Sequence, residues 1–311
     1  MEILKFPSVY RMAKKGEIQD GYSVKVAGKD YVVGERAIEG GVGIRDVESL
    51  VESYSYLVAE AMKRSSFKVG AVSVSLPVEV FRLDVRQGRE RIKRISSLIR
   101  EQVEGVLSVS VFPQSITGFA YSVYVGEAEK KPTIVIDGGF NTINVSLIEP
   151  DGEDYRVPFA ISLMDAGVRK LLNTYFKDAI REIYPDLPTD EQLLNQLFLK
   201  GRARIGGKVV NAEEAVREAK EKYLASFLPK VENAISSNAL FVDYEQVLVI
   251  GGISYYLDKE AVADTDFAEG TEVVIPSDKG EYYNVLGQKV MEPESLAVDG
   301  GFGHTKVCIS L

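Results

Sequence analysis

The chain has 311 residues, 45% of them hydrophobic and 27% charged, with a net charge of −9. That size fits two domains or two lobes; no apolar run is long enough to span a bilayer, the opening MEILKFPSVYRMAKKG lacks the apolar block of a signal peptide, and the cytoplasm is the expected compartment. A single cysteine, Cys308, excludes an internal disulfide, and a single histidine, His304, leaves almost nothing for a Ser-His-Asp triad or a zinc centre, while the acidic balance argues against a surface built to grip nucleic acid.

Along the chain, YSVKVAGKDYVVGE alternates apolar and polar residues on both sides of GKD and predicts a β-hairpin. EGGVGIRD, around Gly40, has clustered glycines but follows no buried strand, and reads as a loop. VESLVESYSYLVAEAM has helical periodicity, GAVSVSLPV is a buried strand, and RIKRISSLIREQVEGVL sets Ile92, Ile95, Leu98, Ile99 and Val103 on one helical face. Strand LSVSVF, helix PQSITGFAYSVYVG and the polar connector EAEKKP follow, the connector being the expected crossing between lobes. TIVIDGG is a strand rich in β-branched residues, and NVSLIEPDGEDYRVPFA continues it as a hairpin turning at PDGED. The chain then becomes helical in DAGVRKLLNTYF, DEQLLNQLFLK and the long NAEEAVREAKEKYLASFLPKVENAI, before the buried strand QVLVIGG and a short helix in EYYNVLGQKV. The basic run KGRARIGGK, Lys200 to Lys208, is expected to be a solvated loop or a filament contact and not a DNA site. Strands alternating with helices, with hairpins interspersed, predict an α/β protein with mixed sheets.

An internal repeat carries the functional reading. IVIDGGFNTINVSLI, from Ile134, and LAVDGGFGHTKVCIS, from Leu296, share one plan: an apolar strand, Asp-Gly-Gly-Phe, a small polar turn, and an alternating strand. Their aspartates, at 137 and 299, lie about half the chain apart, too far for a solenoid repeat and suited to two similar lobes with one hairpin each. Glycine allows left-handed turn conformations and lets backbone N–H groups approach phosphate oxygen, and Thr142 and Thr305 can add hydroxyl donors. Two aspartates would repel a triphosphate unless a cation intervened, which implies hydrated Mg²⁺ between Asp137 and Asp299. Each DGG taken alone is also a common turn; the matched pair is what raises the signal. No GxxxxGK[ST] phosphate loop occurs.

These residues resemble the actin-like ATPases, within the superfamily that also holds sugar kinases and heat-shock chaperone ATPase domains. Asp299-x-Gly301-x-Gly303-His304-Thr305-Lys306 resembles the family's first phosphate motif, and Asp137-x-Gly139-Phe140-Asn141-Thr142-x-Asn144 the second, with Asn144 where an acidic residue is common. VLVIGGIS, with Gly251, Gly252 and Ser254, is similar to the adenosine motif, and PQSITGFAYSVY to the first connecting helix, where Gln114 takes the place of the water-orienting residue. EAVREAKEKYLASF resembles the helix whose Lys-Glu pair touches ribose and base, which implicates Lys220 and Glu221, and LMDAGVRKLL is similar to the second connecting segment. FPSVYR followed by DYVVGERA looks most like the plasmid-segregation filament proteins of the ParM type and their archaeal relatives.

The order of motifs departs from that family, in which the first phosphate hairpin begins the chain and a segment like FPSVYR follows closely. Here that segment starts at residue 6 and the hairpin comes last, so joining Leu311 to Met1 would restore the usual order. The chain therefore reads as a circularly permuted, two-lobed actin-like fold, with residues 1–130 and 280–311 in one lobe and 131–279 in the other. The resemblance implies ATP, or GTP in its place, bound with Mg²⁺ in the cleft between lobes: Asp137 and Asp299 hold the cation mostly through water, and Lys306 neutralises phosphate. Gly139, Asn141, Thr142, Gly301, Gly303 and Thr305 surround the phosphates in this scheme, and Gln114 orients the attacking water.

Four residues keep a blander alternative. Gln114 is also a polar residue at a helix start after Pro113, and Lys220 and Glu221 lie in a helix full of Glu-Lys pairs. His304 stands where the family has a small polar residue, which favours a backbone-supporting role over acid-base work, and Cys308 reads as inert packing. The resemblance further implies slow hydrolysis, head-to-tail self-assembly into filaments, and a separate basic adaptor for any DNA cargo, with no direct nucleic-acid or membrane contact. Two other functions stay open. One is a small-molecule kinase of the same superfamily, with Asp165 as its base; the other is a scaffold that binds nucleotide without turnover, against which the presence of Asp137, Asp299, Lys306 and Gln114 speaks.

Overall fold

The computed structural model describes residues 1–82, 85–238, 243–276 and 278–311. Strands β1 (Glu2–Pro7) and β2 (Val9–Met12) open the chain, followed by α1 (Lys15–Gln19), the hairpin β3 (Val24–Val26) and β4 (Lys29–Val33), β5 (Val42–Gly43) and α2 (Val47–Arg64). Next come β6 (Gly70–Leu76), α3 (Glu79–Arg82), α4 (Val85–Gln102), β7 (Val106–Pro113) and α5 (Ile116–Tyr124). The middle of the chain holds β8 (Thr133–Gly138), β9 (Thr142–Asp151), β10 (Asp154–Met164), α6 (Val168–Lys170), a π-helical run Leu171–Phe176, α7 (Lys177–Ile183) and α8 (Glu191–Lys200). It continues through β11 (Arg202–Ile205), β12 (Lys208–Asn211), α9 (Glu213–Asn238), β13 (Gln246–Gly251), α10 (Lys259–Ala263) and β14 (Glu272–Val274). Helix α11 (Tyr283–Met291) and the hairpin β15 (Leu296–Gly300) and β16 (His304–Ser310) close it.

These elements form two units, one of residues 1–130 with 282–311 and the other of residues 131–281. The first unit carries a five-stranded sheet in the order β1-β16-β15-β6-β7, and the second a five-stranded sheet in the order β10-β9-β8-β13-β14. Read in those orders, the successive pairings are the same in both: antiparallel, antiparallel, parallel, parallel. The two DGGF hairpins, β15–β16 and β8–β9, thus occupy corresponding places, and the sequence repeat is a repeat of architecture. In the second unit the outer strand β10 continues β9 through the PDGED turn; in the first it is β1, and Glu2 lies opposite Ser310.

Burial explains why these stretches are strands. Val72, Val74 and Leu76 alternate with Ser73 and Ser75 along β6, and all five are buried, because β6 lies between two parallel neighbours in a part of the mixed sheet covered on both faces. Ile134, Ile136, Val247 and Val249 do the same for β8 and β13. Asp46 caps α2 by accepting from the Ser49 amide, and α2 then turns Leu50, Tyr54, Leu57, Val58 and Ala61 into the first core. On α9 the buried residues Ala215, Ala219, Tyr223, Phe227 and Val231 recur every four positions and pack against the second core despite Pro229 inside the helix.

Two segments read as loops contain paired strand. Val42–Gly43, within EGGVGIRD, pairs with Val9 and Tyr10 of β2 at the edge of a small sheet β3-β4-β2-β5. KGRARIGGK holds the ribbon β11–β12, closed at Gly206 and Gly207 with φ of 56° and 82°, the left-handed pair that a two-residue hairpin turn requires. Pro113 ends β7 and does not begin a helix, so Gln114 stands in the strand-to-helix turn. No helix among the described residues is long and apolar enough to cross a membrane.

Candidate functional site

In the first unit the site grows from the end of β15. The pairing of Asp299 with Lys306 across the hairpin puts their side chains on one face, and Lys306 Nζ lies 3.5 Å from Asp299 Oδ2. Asp299 is 2% exposed, so its charge needs partners. Besides Lys306, Asp299 Oδ1 accepts from Ser75 Oγ at 2.5 Å and from Gln114 Nε2 at 2.8 Å. Gln114 is held from behind: its amide donates to Leu76 O, and Ser115, at φ 66°, donates its amide to the buried Asn284 Oδ1 on α11. A non-glycine residue in that region is strained and persists where its surroundings dictate it. Ser75, Gln114, Asp299 and Lys306 are therefore one group joined by hydrogen bonds and an ion pair, of which Ser75 carries no motif.

Tyr54 supports the group. Its hydroxyl, fully buried, donates to Ser75 O and accepts from the Gly300 amide at 3.1 Å, tying the end of β6 to the glycine turn. Burial first, and then the Asp299 charge, push its pKa up, so it stays a neutral donor. Tyr54→Phe would leave two buried backbone groups without that partner, at about 1–3 kcal/mol. The expected result is a melting temperature lower by about 2–8 °C; an unshifted melt would show that the hydroxyl supports nothing.

The turn differs from expectation in two respects. None of Gly138, Gly139, Gly300 and Gly301 adopts a left-handed conformation. Gly138 and Gly300 are set by space instead: a Cβ at Gly138 would come 2.2 Å from Ile253, and one at Gly300 would come 3.0 Å from both Leu50 and Tyr54. Thr305, expected to present its hydroxyl to phosphate, is fully buried and bonds Ser8 Oγ at 2.8 Å. The cause is strand alternation, since Thr305 faces away from Lys306. The Gly303 carbonyl accepts from the Ser8 amide, so Ser8 holds the far side of the turn twice. His304 is exposed, and its carbonyl accepts from the Gly301 amide, the backbone-supporting role. Cys308 is buried and its thiol is pushed up to about 11, which makes it inert packing.

In the second unit Asp137 ends β8, 5% exposed, opposite Asn144. Asn144 accepts from Ser162 Oγ at 2.7 Å. The turn closes through the Gly139 amide on Thr142 O at 2.8 Å, with the buried Thr142 beside it. The amides of Gly167, Val168 and Arg169 donate to the carbonyls of Asn141, Gly139 and Phe140, so the loop rests on the start of α6. Asp165, the kinase candidate base, is exposed at φ 51° in the turn just before that contact. Gly251, at φ 79°, passes so close that a Cβ would lie 2.7 Å from Asp137 Oδ1. The adenosine-type loop thus abuts the phosphate-type loop. Gly252 and Ser254 lie in the following turn, where Ser254 Oγ donates to Gly251 O at 2.8 Å. Lys220 pairs with Asp258, four residues beyond Ser254, at 2.9 Å, whereas Glu221 is exposed on α9.

The donor set suits a hydrated cation. Among the described residues no group of three His, Cys, Asp or Glu side chains could hold a metal directly. Asp299 already carries three partners, which leaves a water-mediated contact as the fitting mode, the mode Mg²⁺ favours.

No family profile and no curated protein matches the chain. Solved structures do. The archaeal actin homologue Ta0583 superposes with a TM-score of 0.67 at 18% identity, over 92% of this chain and 91% of that one, and it has also been solved in complex with ADP. Actin-like protein Alp7A gives 0.64 at 15% identity over 92% and 89%. The ParM of a 15-stranded filament from Clostridium botulinum gives 0.60 at 15% identity over 92% and 91%. At these identities the likeness is one of fold, and at that level the resemblance carried by the motifs holds.

Proposed function

We propose that this chain, whose fold is that of the actin-like proteins, binds Mg-ATP, hydrolyses it slowly and assembles head to tail into filaments. The observation that carries the reading is the convergence of Ser75 on β6, Lys306 on β16 and Gln114 in the turn after β7 on one buried carboxylate at a glycine turn. Phosphoryl transfer to water asks for positioning and charge neutralisation more than for covalent chemistry, and this group offers both. Lys306 supplies positive charge beside the turn. Asp299 and Asp137 would hold Mg²⁺ through water, and the cation would supply neutralisation of phosphate charge. Gln114 orients the attacking water; a neutral amide is a poor base, so turnover is slow. Gly251, Gly252 and Ser254, with Lys220, receive the nucleoside.

The ADP complex of the archaeal homologue supports an adenine nucleotide, and the Clostridium botulinum filament supports self-assembly. With a net charge of −9, cargo such as a plasmid would be held through a basic adaptor. We also read the motif order as a circular permutation. In its support, β15, β16 and β1 are successive neighbours in one sheet, as β8, β9 and β10 are in the other, and Ser310 lies beside Glu2.

Phosphate release, light scattering and negative-stain microscopy of the purified protein with ATP and Mg²⁺ test the reading together. Filaments with slow phosphate release are expected. Transfer of phosphate to a small-molecule acceptor would make the protein a kinase, and nucleotide bound without turnover would make it a scaffold; either result rejects the proposal.

A further inference from the structure

The ribbon β11–β12 takes no part in the nucleotide reading. From Gln192 to Ala212 the chain has Lys200, Arg202, Arg204 and Lys208 and no aspartate or glutamate, in a protein of net charge −9. The pairing of Arg202 with Asn211 and of Arg204 with Val209 puts Arg202, Arg204, Val209 and Asn211 on one face of the ribbon, all exposed, while Lys208, opposite Ile205, is exposed on the other face and Lys200 at the end of α8. Arg204 stiffens the turn by donating to Gly207 O at 2.7 Å. Val209 and the neighbouring Leu199 are 45% and 54% exposed. Elsewhere Arg11, Arg64, Arg91, Arg94 and Arg156 each hold a glutamate. Among the described residues Lys200, Arg202, Arg204 and Lys208 hold no carboxylate. Arginine around exposed apolar side chains, with no internal partner, is the composition of a protein contact.

The complementary surface is in the same unit. Between residues 258 and 272, Asp258, Glu260, Asp264, Asp266, Glu269 and Glu272 are all exposed, against one basic residue, Lys259. Lys220 holds Asp258 and Lys131 holds Glu272, while Glu260, Asp264, Asp266 and Glu269 hold no cation among the described residues. Within one copy no ion pair joins ribbon to ledge.

We infer that the ribbon of one copy docks on the acidic ledge around Asp264 and Asp266 of the next. Because the two surfaces differ, the contact is heterologous and each copy leaves one of each open, which propagates a chain of subunits. The inference rests on the filament reading, for which it supplies the surfaces.

Charge reversal in the full chain tests it. R202E/R204E and D264K/D266K each change only exposed side chains, and the one hydrogen bond lost, Arg204 to Gly207 O, is itself exposed, so both should melt close to the wild type. Each alone is expected to raise the protein concentration needed for assembly with ATP and Mg²⁺ by about tenfold or more, since each sets like charges face to face. Mixed in equal amounts they should assemble together, because every contact then joins opposite charges. Assembly of either variant at the wild-type concentration, or a mixture that stays dispersed, would overturn the inference while leaving the filament reading intact. Failure of the wild type to assemble at all would remove both. Retention of duplex DNA by the wild type, lost in R202E/R204E, would give the ribbon to nucleic acid and overturn the inference as well.

Discussion

Asp137→Ala is expected to lower phosphate release from ATP by about a hundredfold or more, the rate equivalent of the several kcal/mol that a correctly held cation contributes. The residue ends β8 at 5% exposure, and the chain makes room for its carboxylate by bringing the glycine of a separate strand, Gly251, against it. A carboxylate this deeply buried is costly unless it is partnered. A carboxylate whose task is to order the water shell of Mg²⁺ cannot be replaced by a neutral group. Asp137→Asn, which keeps the shape and removes the charge, should therefore fall nearly as far as Asp137→Ala. If the role is structural, the amide would substitute and the asparagine variant would hydrolyse ATP at close to the normal rate. Phosphate release at saturating ATP and Mg²⁺, with a thermal melt of each variant, separates the two. An unchanged rate in the alanine variant would remove Asp137 from the site.

Much of this was legible in the residues. The β-branched runs TIVI and VLVI and the i, i+4 stripe of α9 name their own secondary structure, and the two DGGF hairpins named the repeat that the matching sheets display. What escaped has a common cause. Ser75 and Tyr54 reach the glycine turn across 224 and 246 residues, and strand alternation shows which way Ser75 points without showing what waits there. The alternation of Ser73 and Ser75 with valines along the buried stretch of β6 was the available sign, since a buried hydroxyl needs a partner. β5 is two residues long and exists only because Val9 and Tyr10 lie beside it. The hairpin signature of RARI-GG-KVVN was present but overlaid by its charge. The turn glycines were read for backbone freedom, and their actual constraint, proximity to Ile253, Leu50 and Tyr54, is a tertiary fact.

Gly251→Ala separates those two uses of glycine at one position. Gly251 has φ 79°, and an added Cβ would also lie 2.5 Å from Gly138 O and 2.7 Å from Asp137 Oδ1. At φ 79° and ψ −174° the backbone is in an extended positive-φ region open essentially to glycine, which costs an alanine about 1–3 kcal/mol, and forcing atoms into a filled space adds about 1–3 kcal/mol. Gly270 provides the control, because its φ is 73° and nothing lies within 4 Å of its Cβ position. Gly270→Ala should carry the backbone cost only and leave nucleotide binding unchanged. Gly251→Ala should cost about 3 kcal/mol in all, a fall in melting temperature of roughly 10 °C, and weaken nucleotide binding by displacing the Asp137 carboxylate. Equal melts for the two variants would mean that the approach of Gly251 to Asp137 is no constraint. The adenosine-type and phosphate-type loops would then be independent of each other.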